Sequence, residues 1–175
     1  MTQLGKKDIS QLLSIINIHP KIRIMHFSQN QLNLNQEILK LSKENDYEFQ
    51  LNSTTEEDYN LSIEEFSQSS HINILNFNLK RPRYNIQAKQ YDYLFVSSKI
   101  QDEDILSFLK KSHSIIKNAG LILIFISKID GEQDYDTIYR WTSLLEDSYF
   151  VATNSIDISK YFDVIISKKM HGWGG

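Results

Sequence analysis

The 175 residues include 19 basic and 22 acidic side chains, 41% hydrophobic residues and no cysteine. A net charge of -3 lacks the basic excess of a dedicated nucleic-acid binder, and the absence of thiols excludes disulfide frameworks, thiolate metal sites and cysteine nucleophiles. No apolar run approaches the roughly 20 residues that span a bilayer, and residues 1–10 hold no apolar stretch of signal-peptide length, so a soluble, cytoplasmic chain is expected, folded as one domain with a flexible tail over 169–175.

Ile9, Leu12, Leu13 and Ile16 lie at helical spacing, and the helix they predict breaks at His19-Pro20. Residues 21–27 carry large apolar groups on both alternating faces and predict a buried first strand. Leu34, Ile38 and Leu41 recur at i, i+4 and i+7 and predict a helix reaching Asn45. Residues 47–51 read as a second strand, and Tyr59, Ile63 and Phe66 as the apolar stripe of an acidic helix whose other face is expected to be solvated.

A third strand is predicted over 71–79, followed by a connection through Pro82 without helical period and a fourth strand over 91–97. Ile105, Phe108, Leu109, Ile115 and Ile116 predict a strong amphipathic helix closed by Gly120. The continuous apolar run 121–126 fits a central strand covered on both faces, and Ile138, Trp141 and Leu145 mark another helix over 135–147. Residues 150–158 and 162–168 are too close together for a parallel crossover and should pair as an antiparallel hairpin. The fold class that follows is α/β, a doubly wound, mostly parallel seven-stranded sheet with helices on both faces and a C-terminal antiparallel hairpin. Any ligand is expected beyond the carboxyl ends of the strands, beside the first.

Tyr91-Asp92-Tyr93-Leu94-Phe95-Val96 resembles the "YDxVF" fourth strand of the class I S-adenosylmethionine-dependent methyltransferases. The stretch from Leu109-Lys110-Lys111 through Asn118-Ala119-Gly120-Leu121-Ile122-Leu123 is similar to that family's approach to its fifth strand, and the closing hairpin, ending in Phe162-Asp163-Val164-Ile165-Ile166, resembles its last two. The resemblance spans residues 9–170 and rests on architectural motifs, none of them catalytic. It implies S-adenosylmethionine as cofactor, with Phe27, Ser28, Gln29 and Asn30 along the methionine portion, Asn52 at the ribose, Asn78 at the adenine, and Ser97 or Ser98 toward the methyl acceptor.

In that family the first strand runs into a glycine-rich turn whose bare backbone admits the cofactor; here 24–31 contain no glycine. Asn30 can supply a left-handed turn, but the side chains fill space the ligand needs, so cofactor binding is expected to be weakened. Asn52 is uncharged where a carboxylate usually takes the ribose hydroxyls, and Asn78 can still accept from an adenine amino group. Two readings follow: a methyltransferase-like protein with unknown acceptor, or a catalytically silent binding or scaffold module on the same fold.

The remaining features are less directive. The five histidines lack the spacing of a metal site, and His26, at the end of the first strand, is expected to be a buried, hydrogen-bonded core residue. Lys80, Arg81, Arg83 and Lys89 could face a phosphate but read more simply as a solvated loop. The partner stays open between a small molecule and a protein, with neither nucleic acid nor membrane expected.

Overall fold

A computed structural model describes residues 3–85 and 88–170. Its elements, in chain order, are α1 (Lys6–Leu13), β1 (Arg23–Ser28), α2 (Leu32–Asn45), β2 (Glu48–Ser53), α3 (Glu56–Phe66), β3 (Ile72–Asn76), β4 (Tyr91–Val96), α4 (Ile105–His113), β5 (Ile116–Ser127), α5 (Tyr135–Asp147), β6 (Phe150–Asp157) and β7 (Phe162–Lys169). They build one seven-stranded sheet in the order β3-β2-β1-β4-β5-β7-β6. The first five strands run parallel, and β7 lies antiparallel between β5 and β6. The chain winds outward from β1 to β3 and then returns to lay β4 on the other side of β1, so the two halves diverge at the carboxyl ends of these two strands.

Strand alternation divides the core into two layers. Ile24, Phe49, Leu51, Tyr93, Phe95 and Leu123 pack with Ile9, Leu12, Leu34, Ile38 and Phe66 from the first three helices. Met25, Phe27, Leu94, Val96, Ile122 and Ile124 face the other way, against Ile105, Phe108, Leu109, Trp141 and Leu145 of α4 and α5. This is the doubly wound arrangement with helices on both faces that the sequence implies. No helix among the described residues is long and apolar enough to cross a membrane.

Two boundaries depart from the sequence reading. The predicted helix through Ile116 ends at His113, and Ile116 instead opens β5, pairing with Tyr91. Ile115 and Ile116 continue the apolar period of the helix, but both are buried against the sheet side of the same layer. Tyr93 then pairs with Leu121, so residues 117–120 bulge out of register. Gly120 therefore sits inside the strand rather than at a helix end. An added Cβ there would come within 2.6 Å of Ile116 Cγ2 and 2.9 Å of the Lys117 carbonyl. The buried Lys169 ammonium ties the corner down by donating to the His113 and Ile116 carbonyls, each at 2.9 Å.

The third strand likewise stops at Asn76, short of the expected 79, because residues 78–81 turn back with Arg81 N–H donating to the Asn78 carbonyl. The connection to β4 contains no helix among its described residues. In place of one, Phe77 and Tyr84 bury their rings against Phe27, at 5.1 and 5.2 Å between centroids, with Phe108 at 5.7 Å from Phe27. At the chain end, β7 includes Lys169 and Met170 N–H donates to the Tyr149 carbonyl; residues 171–175 of the expected tail lie outside the described residues.

Candidate functional site

The turn that leaves β1 at the divergence point is built without glycine. Asn30 adopts φ 63°, the left-handed conformation anticipated for it, and its backbone N–H donates to both carboxylate oxygens of Asp58 at 3.1 and 3.2 Å. Asp58 is held in turn by the α3 cap: Thr55 Oγ1 accepts from Asp58 N–H and donates to Asp58 Oδ2. The first turn of the acidic helix thus anchors the β1 turn rather than serving only as a solvated face.

Beneath the turn runs a buried polar chain. His26, fully buried, sits with Nδ1 2.6 Å from Asn35 Oδ1 and Nε2 2.8 Å from Ser97 Oγ. The Asn35 amide nitrogen donates to Ser28 Oγ, which leaves its oxygen to accept the imidazole Nδ1–H; Nε2 must then accept from the Ser97 hydroxyl. Burial lowers the His26 pKa to about 4, opposed by the Asn35 hydrogen bond, so the ring is neutral near pH 7. Ser97 Oγ also accepts the Gln29 backbone N–H at 3.1 Å.

Two further hydrogen bonds cross the divergence point. Gln29 Oε1 accepts the Lys99 backbone N–H at 3.0 Å, tying the β1 turn to the loop after β4. Thr54 Oγ1 lies 2.6 Å from Ser98 Oγ and also donates to the Ser28 carbonyl, tying the end of β2 to the same loop. On one side of these ties lies a hollow of about 440 Å³, walled by Gln29, Asn30, Ser97, Asp134, Trp141 and Phe162 among others. On the other lies a second hollow of about 580 Å³, walled by Thr54, Phe77, Asn78, Tyr84 and Phe108 among others. Lys99 and Ile100 contribute to both, as the partition between them.

The sequence-predicted residues separate accordingly. Gln29, Asn30, Ser97 and Ser98 meet at the first hollow, and Asn78 stands at the second, its Oδ1 accepting from Lys80 N–H. Phe27, Ser28 and Asn52 line neither. Phe27 lies within the aromatic cluster, and Ser28 faces Asn35. Asn52 is buried on the second face of the sheet, with Oδ1 accepting from Gln50 Nε2 at 2.8 Å. Thr54, Lys99, Asp134 and Trp141 are among the wall residues sequence reasoning missed. The pattern Thr55-Glu56-Glu57-Asp58 marks a helix cap and could have located the end of β2 at Ser53, putting Thr54 in the crevice. Lys99 and Trp141 carry no such local signal.

Of the other features considered, Arg81 lies over the Phe77 ring at 5.0 Å and Lys89 pairs with Glu48 at 3.1 Å, so both are engaged with the domain itself.

No protein-family profile matches the chain, and no curated protein sequence does. Solved structures do. An S-adenosylmethionine-dependent O-methyltransferase from Thermotoga maritima superposes with TM-score 0.75 at 12% identity, over 97% of this chain and 68% of that one. An S-adenosylmethionine-dependent methyltransferase from Aquifex aeolicus gives 0.72 at 13% identity, over 93% of this chain and 90% of that one. Human N-acetylserotonin methyltransferase, solved in complex with S-adenosylmethionine, gives 0.68 at 14% identity; this chain is covered over 93% of its length but spans only 52% of the human one. Identities this low speak to architecture rather than activity. The strand order, the antiparallel β7 and these superpositions agree: the chain has the fold of the class I S-adenosylmethionine-dependent methyltransferases.

Proposed function

We propose that the protein is an S-adenosylmethionine-dependent methyltransferase-like protein, of unknown acceptor, that binds its cofactor weakly. The observation that carries this reading is the glycine-free turn Ser28 to Gln31, whose Gln29 side chain bridges to Lys99 across the place where the fold receives the adenosyl ligand. A ligand lying across both hollows must break that bond and the Thr54–Ser98 contact, and each leaves polar groups to be satisfied again at a cost of about 1 kcal/mol or more. Recognition is also thinned at the ribose, because Asn52 is buried, paired with Gln50 of its own strand, and offers no carboxylate. Asn78 keeps an acceptor at the adenine side.

Calorimetric titration with S-adenosylhomocysteine tests the reading. Saturable binding with a dissociation constant on the order of 100 μM or weaker, reduced further by Asn78→Ala, supports it. Low-micromolar binding contradicts it.

A second reading, a catalytically silent module, is favoured by one specific feature. Asn73 Nδ2 donates to Gln50 Oε1 at 2.7 Å on a groove of about 570 Å³ rimmed by Arg23, Glu48 and Lys89 at the opposite end of the strands, away from the carboxyl-end crevice. No heat with S-adenosylhomocysteine up to about millimolar concentration would favour this module.

A further inference from the structure

We propose that the hollow beside Ser97 is a binding site for an amine, specifically a primary ammonium group carried on an aromatic or aliphatic body. The inference rests on the reading above only in taking Ser97, on the wall of this hollow, to face the methyl acceptor. Amine binding itself needs no cofactor.

The polarity of the site is fixed from below. Asn35 Oδ1 takes the Nδ1 proton of His26, so His26 Nε2 can only accept, and the hydrogen of the Ser97 hydroxyl is spent on it. The Gln29 backbone N–H, which can only donate, occupies one lone pair of the same oxygen. What Ser97 retains for a ligand is its second lone pair. An ordinary serine can rotate to donate or accept; this one is a fixed acceptor.

The carboxylate and the apolar part of the wall agree, whereas the amides of Gln29 and Asn30 can serve as either donor or acceptor. Asp134 caps α5, accepting the Thr137 N–H at 3.2 Å and the Thr137 hydroxyl at 2.6 Å, and its carboxyl group stands on the wall of the hollow with lone pairs to spare. Asp102 is matched by Arg140 at 3.2 Å, and among the described residues the cation lining the hollow is Lys99, of the partition loop. Phe125, Ile126, Trp141 and Phe162 supply an apolar floor for the body of the ligand. A donor-rich head therefore meets acceptors, and a carboxylate head would meet the Ser97 lone pair and the Asp134 carboxyl oxygens.

The test uses the intact protein without cofactor and compares tryptamine with indole-3-propionate by calorimetry or by chemical-shift titration. Saturable binding of tryptamine, at least about tenfold tighter than the carboxylate, is expected. Ser97→Ala should weaken tryptamine by about fivefold or more, with Ser97→Thr restoring it. Asn35→Asp supplies the sharper result. A carboxylate beside Nδ1 favours the doubly protonated imidazole, Nε2–H then donates to Ser97, and the hydroxyl hydrogen is released toward the hollow, so the preference for amine over carboxylate should shrink or invert. Absence of tryptamine binding up to about 10 mM, equal or better binding of the carboxylate to the native chain, or an unchanged Ser97→Ala affinity would each overturn the proposal. Should Asn35→Asp fail to fold, the Ala and Thr variants of Ser97 still decide it. Failure here leaves the S-adenosylhomocysteine titration untouched, so the two claims fall separately.

Discussion

Gln29 and Lys99, 70 residues apart in sequence, are joined by one hydrogen bond of 3.0 Å from side-chain carbonyl to backbone amide, and that bond spans the mouth between β1 and β4. In an open crevice the Lys99 amide would face water or ligand. Here its protection depends on a single side chain. Gln29→Ala should therefore speed hydrogen exchange at Lys99 by about tenfold or more while leaving core amides such as Leu94 unchanged, as measured by exchange with mass spectrometric or NMR detection. Unaltered exchange at Lys99 would mean that the loop is held shut by something else.

The neutral His26 makes the fold sensitive to mild acid. Its folded-state pKa is lowered to about 4 from 6.5, so between those values the unfolded chain holds more protons than the native one. Its contribution is complete above about pH 6.5, falls as the pH drops, and is gone by about 4; the full span is on the order of 3 kcal/mol. His113, also lowered by burial and by the neighbouring Lys169 charge, acts in the same direction. Chemical denaturation at pH 7 and at pH 4.5 should show the loss, and an Asn35→Asp chain should show a smaller one.

Phe27 is a packing residue at the centre of an aromatic cluster with Phe77, Tyr84 and Phe108. Phe27→Ala should cost about 3–5 kcal/mol by equilibrium denaturation, because the cavity opens between a strand, a helix and the start of the link to β4. A loss below about 1 kcal/mol would place the ring at a surface instead.

Gly120 tolerates no side chain. Its Cβ would meet Ile116 Cγ2 at 2.6 Å and the Lys117 and Asp92 carbonyls at 2.9 and 3.1 Å. Gly120→Ala should lower stability by about 1–3 kcal/mol, read as a shift in the denaturation midpoint.

The architecture was legible because each element announces itself through a long-range pattern: the continuous apolar run into Ile126, the 3.6-residue stripe of Phe108 and Leu109, and the short gap between the last two strands. Legibility failed where two patterns overlap. Ile115 and Ile116 satisfy both helix and strand, and only pairing with Tyr91 settles the matter. At the crevice, the left-handed turn at Asn30 could be read from residue type, but the partners of that turn could not, since Asp58, Lys99 and Ser97 lie 28, 70 and 68 residues from their counterparts. The burial of Asn52 was hidden for a similar reason. An asparagine near a strand end suits a ligand or a buried amide pair equally well, and Gln50, two residues earlier on the same face, decides for the pair.

The most direct test of the weak-cofactor reading compares S-adenosylhomocysteine affinity in the native chain and in Gln29→Gly by calorimetry. Glycine removes the bridge to Lys99 and the bulk above the crevice together, so affinity should rise by about tenfold or more from a weak native value. Tight binding by the native chain, unchanged in Gln29→Gly, would contradict it.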